Sequence, residues 1–193
     1  KNNLKKLIVA LFILILIPFS IFAYQIYKDK NKEKLSSKYN FTITNFENDK
    51  KIDTKLIMHE IIIAKDKTYS PLALYFLIDN NIEASNDEIN NYFDILINDI
   101  NLDIEIKNLN IYKKALYNSD FQSGDELLKI LDPLIKSENT WRSHSLYLMA
   151  EYYFSKNQKQ KSKEFYEKIV KMEDANKDIK LEAQKRLQRD FSD

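Results

Sequence analysis

The sequence predicts an all-α protein, one long apolar helix at the N-terminus followed by short helices packed as antiparallel hairpins. Three observations carry that expectation. Apolar residues recur at helical spacing almost to the end of the 193-residue chain, with no sustained alternation of period two. No Asn-Gly or Asp-Gly pair marks a turn between strands. The punctuation is that of helix ends. Ser85-Asn86-Asp87-Glu88 and Ser123-Gly124-Asp125-Glu126 read as capping boxes, in which the serine covers an orphan amide and the glutamate reaches back.

Taken in order, residues Leu7 to Tyr27 are an uncharged apolar run, LIVALFILILIPFSIFAYQIY, bracketed by Lys1, Lys5 and Lys6 and by Lys28, Lys30, Lys32 and Lys34. About 20 apolar residues in a helix span a bilayer's hydrocarbon core. The expectation is therefore a single N-terminal transmembrane helix, residues 1–28, with Leu7, Leu11, Leu14, Ile17, Ile21, Tyr24 and Tyr27 contacting lipid and the tyrosines at headgroup level. The alternative is a cleavable secretory signal. Its apolar core is usually about 7–15 residues and ends in small residues, whereas here only Ala23 is small and Ile21 fills the other slot. The flanking lysines nearly balance, so charge leaves orientation open.

Residues 29–50 form a linker and a first helix through Phe46. The remainder, 51–193, divides at polar breaks into helices near 52–65, 70–84, 86–98, 102–118, 124–136, 140–156, 159–172 and 177–190. Ser70-Pro71 offers a cap before a proline at the first helical position, and Asn139-Thr140-Trp141 offers another cap. Asp132-Pro133 falls inside a predicted helix and should bend or break it. Such short helices are marginal alone and persist by packing apolar stripes on neighbours.

Composition excludes several function classes. Residues 1–38 hold eight lysines and two acids, leaving 22 basic and 27 acidic side chains for the rest. The remainder has no polybasic footprint for nucleic acid, while the basic skirt suits anionic lipid headgroups. Cysteine is absent, which removes disulfides, thiolate metal sites and cysteine nucleophiles. Gly124 is the sole glycine, so no phosphate-cradling loop can be built.

A repeat is visible within this pattern. The stretch Leu146 to Asn157, continuing through Gln158 to Val170, resembles one tetratricopeptide repeat. Ala150 and, twelve residues on, Ser162 take the small positions that let paired helices approach. Tyr153 and Tyr166 match aromatic packing positions. Asn157 stands at the usual turn glycine, and asparagine tolerates the left-handed conformation. Earlier units are degenerate, with Ala73, Leu77 and Phe93 in packing roles and a period in the mid-thirties. An α-solenoid of tetratricopeptide-like hairpins is the expected architecture, a generic helical bundle the alternative.

Three further stretches narrow the resemblance: Tyr69-Ser70-Pro71-Leu72-Ala73-Leu74, then Asn101-Leu102-Asp103 through Leu109, then Leu131-Asp132-Pro133-Leu134 followed by Trp141-Arg142. In this order, behind one apolar N-terminal helix, they resemble the YfgM-type family of ancillary SecYEG translocon subunits. The family's alanine and glycine richness is replaced here by Lys, Asn and Ile. The resemblance implies a single-pass inner-membrane protein of a Gram-negative bacterium, N-terminus cytoplasmic and repeat domain periplasmic. Its implied partners are Sec translocon subunits and periplasmic chaperones or clients. The alternative is a helical-repeat scaffold for another envelope process, such as cell-wall coordination or cytochrome maturation.

No catalytic constellation appears, and neither an enzyme, a cofactor nor a small-molecule substrate is expected. His59 sits among Leu56, Ile57, Met58 and Ile61 as a structural histidine. His144 and Ser145 are adjacent in a helix and point apart. Asp103 and Glu105 diverge in the same way. Trp141, the sole tryptophan, reads as a packing anchor or as an interface hot spot. Repeat domains of this kind bind along the face lined by first helices. His144, Tyr147, Glu151 and Phe154 share one face of the helix at 140–156, and Leu74, Ile78 and Asn81 the matching face of an earlier one. These seven are the candidate groove residues, although a core-facing stripe gives the same spacing.

Overall fold

The computed structural model describes residues 2–46, 51–82 and 84–191. Among these residues the chain is all-helical: α1 (Asn2–Thr44), α2 (Lys51–Ile63), α3 (Tyr69–Asp79), α4 (Asn86–Asp94), α5 (Ile104–Asn118), α6 (Gly124–Ile135), α7 (Arg142–Ser155), α8 (Lys159–Lys171) and α9 (Lys177–Phe191). A five-residue π-helical stretch, Ile95–Asp99, continues α4 and was not anticipated. The chain forms two compact units, Lys1–Ala84 and Ser85–Asp193. The expected domain at 51–193 is therefore shared between them. No helix boundary falls at residue 28, because α1 runs on unbroken to Thr44.

In the first unit, the C-terminal part of α1 packs on the α2–α3 hairpin. Tyr39 meets Tyr69 at 5.9 Å and Phe46 meets Phe76 edge-on at 5.2 Å. Met58, Ile61, Ile62, Ala73, Leu74 and Leu77 are fully buried. A hydrogen bond from Lys38 holds the Glu60 carboxyl below its ordinary range.

The start of α3 departs from expectation. Ser70 is not its cap. Asp66 Oδ1 instead accepts from the amides of Thr68 and Tyr69, both at 2.8 Å. The Ser70 hydroxyl turns inward and donates to the Ile61 carbonyl at 2.9 Å, satisfying a buried carbonyl in the last turn of α2.

The described apolar side chains of α1, from Phe12 to Tyr27, are exposed, among them Leu14, Ile17, Ile21, Tyr24 and Tyr27. The side chains of Leu7 and Leu11 lie outside the described residues. Among the described residues no helix is long and apolar enough to cross a membrane. This overturns the expected single-pass inner-membrane placement, with its cytoplasmic N-terminus and periplasmic domain.

In the second unit each helix packs on the next in sequence, from α5 through to α9. The Ser123 capping box forms in full, the serine oxygen accepting from Glu126 N and the Glu126 carboxylate from Ser123 N at 2.9 Å. Ser85 likewise accepts from Glu88 N at 3.1 Å. Pro133 does not break α6. It sits in the final turn, where its missing N–H removes a single bond and the helix ends two residues later. Asn157 closes α7 at φ 58°, the left-handed turn expected of it, with Gln158 N reaching the Tyr153 carbonyl at 2.9 Å.

Gly124 has a packing role. A Cβ there would meet Tyr153 Oη at 2.8 Å and ring carbons of Tyr153 and Tyr152 at 3.0 and 3.1 Å. The absence of a side chain lets the N-terminus of α6 rest on the tyrosines of α7.

Candidate partner-binding surface

Two buried clusters hold the second unit together. In one, Ile111 and Ala115 of α5 and Leu127, Leu131 and Leu134 of α6 meet Leu148, Met149 and Tyr153 of α7. In the other, Leu146 and Ala150 of α7 meet Tyr166 and Ile169 of α8 and Ala183 of α9. Every residue assigned a repeat-packing role is buried in its own unit, Ala73 and Leu77 in the first, Phe93, Ala150, Tyr153, Ser162 and Tyr166 in the second. The Ser162 hydroxyl is buried there without a hydrogen-bond partner.

The four α7 residues read as groove-lining do lie along one side of that helix, each half-buried. The structure covers three of them. Tyr147 meets Tyr166 edge-on at 5.7 Å, and Phe154 meets Phe191 of α9 at 5.9 Å. Glu151 accepts a hydrogen bond from the Tyr166 hydroxyl and two from Arg186 of α9, Nε to Oε1 at 2.8 Å and Nη2 to Oε2 at 2.7 Å. The Arg186 guanidinium lies 4.5 Å from the Phe154 ring centroid, and its Nη1 donates to Asp190 at 2.7 Å. A planar fork that binds a carboxylate and stacks on a ring uses both properties that distinguish arginine from lysine. Burial, with Glu151 alongside, pushes the Tyr147 hydroxyl up to about 12, and burial raises that of Tyr166 as well.

Tyr147, Glu151 and Phe154 are thus a seam between α7 and its C-terminal neighbours, not an open groove. Spacing alone marks a covered face, and α8 and α9 do the covering. In the first unit, Leu74 is likewise corrected to core, and Asn81 is the left-handed residue (φ 49°) that closes α3, its amide bonded to the Ile78 carbonyl at 3.1 Å. Ile78 is half-buried.

His144 has a different setting. It joins Tyr112 of α5 and Trp141 at the start of α7 in an aromatic set. Tyr112 and Trp141 stack with centroids 5.3 Å apart, and His144 stands 5.3 Å from Trp141 and 6.2 Å, edge-on, from Tyr112. All three are half-buried, and burial raises the Tyr112 hydroxyl. The set bridges α5 and α7, and Tyr112 was missed by the sequence reading.

Of the three stretches that carried the translocon resemblance, the third, with Leu134, Trp141 and Arg142, meets Asn139 in a turn. Leu134 is fully buried at the end of α6, and its carbonyl accepts from Asn139 Nδ2 at 2.9 Å. Asn139 Oδ1 accepts from Trp141 N at 2.9 Å, and Arg142 Nε donates to the Ile135 carbonyl at 3.1 Å. Asn139 and Arg142 therefore satisfy orphan groups of both helices. Comparison with protein-family models, with curated proteins and with solved structures returned no match.

Proposed function

We propose that the protein is a non-catalytic interaction module built of tetratricopeptide-like hairpins, with a partner polypeptide docking across α5 and α7. Helix register supports the architecture. In the second unit α5, α7 and α9 begin at residues 104, 142 and 177, so successive starts are 38 and 35 residues apart. The observation that carries the binding reading is the half-buried set Tyr112, Trp141 and His144, since rigid rings supply large contact area at low entropic cost. The identity of the partner rests on the motif resemblance alone, which names a subunit or client of the Sec protein-export machinery.

The test is photo-crosslinking in cells from a reactive residue at position 144, with an exposed position on α8, Lys161, as control. Recovery of Sec subunits specific to position 144 supports the reading in full. Recovery of other proteins keeps the module and overturns the translocon. Equal, low recovery from both positions overturns the module.

A further inference from the structure

At one end of the α5–α6 hairpin lies a cleft of about 460 Å³, formed by the first turns of α5 and by the turn that follows α6. Its walls include Ile104, Asn108, Ile111 and Pro133. Four observations define what could occupy it.

Asn108 lies in the second turn of α5 and is 8% exposed. Its side-chain amide has no hydrogen-bond partner among the described residues, unlike those of Asn110 and Asn118, which each bond a helical carbonyl one turn back. The surface that this amide keeps opens to the cleft. It offers one acceptor and two donors together.

The first-turn amides of α5 lack a side-chain cap, since Asp103 at the N-cap position makes no such bond. Ile104, at the mouth, is 66% exposed beside the buried Ile111 and so presents an uncovered apolar wall. The charged residues of the cleft are Glu105, Glu138 and Lys107. Two carboxylates against one ammonium disfavour an anionic occupant, and with it the terminal carboxylate of a polypeptide.

We infer that this cleft takes an internal, extended segment of a partner polypeptide, inserting an uncharged aliphatic side chain between Ile104 and Pro133 while Asn108 pairs with the segment's backbone amide. An extended segment leaves its N–H and C=O free for such an amide, whereas a helix has already satisfied its own. The volume lies within the roughly 300–1,000 Å³ of ligand-sized clefts. The inference rests on the interaction-module reading and gives that module a specificity element at the turn end of the hairpin, built without any of the seven residues first assigned to a groove.

Calorimetric titration of the full-length protein in mild non-ionic detergent, with a micelle blank, tests it. The probes are capped pentapeptides of alanine with leucine, aspartate or lysine at the centre, plus the leucine peptide N-methylated at that residue. The expected result is saturable binding of the leucine peptide, at least tenfold weaker for the aspartate, lysine and N-methylated peptides. N108A should lose that binding at least tenfold while its α-helical signal is retained. Equal binding of all four peptides, no binding of any, or an unchanged affinity in N108A overturns the cleft. The crosslink from position 144 does not involve the cleft, so its persistence in N108A separates failure of this inference from failure of the module.

Discussion

The two sides of α7 are closed by different chemistry. Toward α5 and α6 the contact is apolar, Leu148 and Met149 against Ile111, Ala115 and the leucines of α6. Toward α9 it is stitched by a guanidinium that bonds Glu151 twice and stacks on Phe154. The first side derives its stability from area removed from water and depends little on angle. The second depends on three groups meeting in one geometry, and each would be left short of partners if another were removed. A helical repeat can thus be continued by shape on one side and fastened by a polar clasp on the other.

Truncation on the apolar side should produce the largest effect. Leu131→Ala removes a fully buried side chain from the α5–α6–α7 cluster and should cost about 3 kcal/mol, read as a lower urea midpoint with the α-helical signal retained at zero denaturant. An effect below about 1 kcal/mol would mean that this cluster collapses around the gap and is not close-packed.

On the clasp side, Arg186→Ala should cost about 2 kcal/mol. Its side chain is only 11% exposed, but Glu151 keeps 37% and water can rehydrate it, which discounts the loss. A double-mutant cycle with Glu151→Gln should return a coupling of roughly 1 kcal/mol, and a coupling near zero would make the network ornamental.

Ser162→Ala sharpens the contrast by moving the other way. Deleting a buried hydroxyl without a partner should raise stability by about 1 kcal/mol, and a loss would reveal a bond that the hydroxyl makes in solution.

The smallest effect is on the alkaline limb. Tyr147 titrates near 12 in the folded protein against about 10 unfolded. Its raised pKa means that the folded state keeps its proton while the unfolded state gives one up. Its contribution is complete below about pH 10 and is lost as pH climbs toward 12. Tyr147→Phe cannot ionise, so its alkaline unfolding midpoint should rise by roughly a few tenths of a pH unit. An unchanged midpoint would place the transition on other groups.

Helix existence and most boundaries were legible in the sequence because their causes are local. Ser123 and Glu126 are three residues apart, and Asn157 needs only its own backbone to turn. The start of α3 was misread because Ser70 and Asp66 both qualify as caps, and the choice depended on a carbonyl of α2 that the sequence does not place. The groove was misread for a longer-range reason. His144, Tyr147, Glu151 and Phe154 share a face whatever covers it, and the cover, Arg186, lies 35 residues beyond Glu151. The apolar run at the N-terminus is plain in the letters, yet among the described residues no helix is long and apolar enough to cross a membrane. Asn108 carried no signal at all, since an unpaired amide is recognisable only once its neighbours are known.

Trp141 gives the molecule a built-in optical reporter. It is the sole tryptophan in a protein with 12 tyrosines, and it stacks on Tyr112 at the junction of α5 and α7. Loosening of that junction will move its emission to the red, while release of α9 from the far side of α7 will leave the indole's surroundings unchanged. The two closures of α7 can therefore be followed separately in one unlabelled sample, fluorescence for the apolar side and circular dichroism for both.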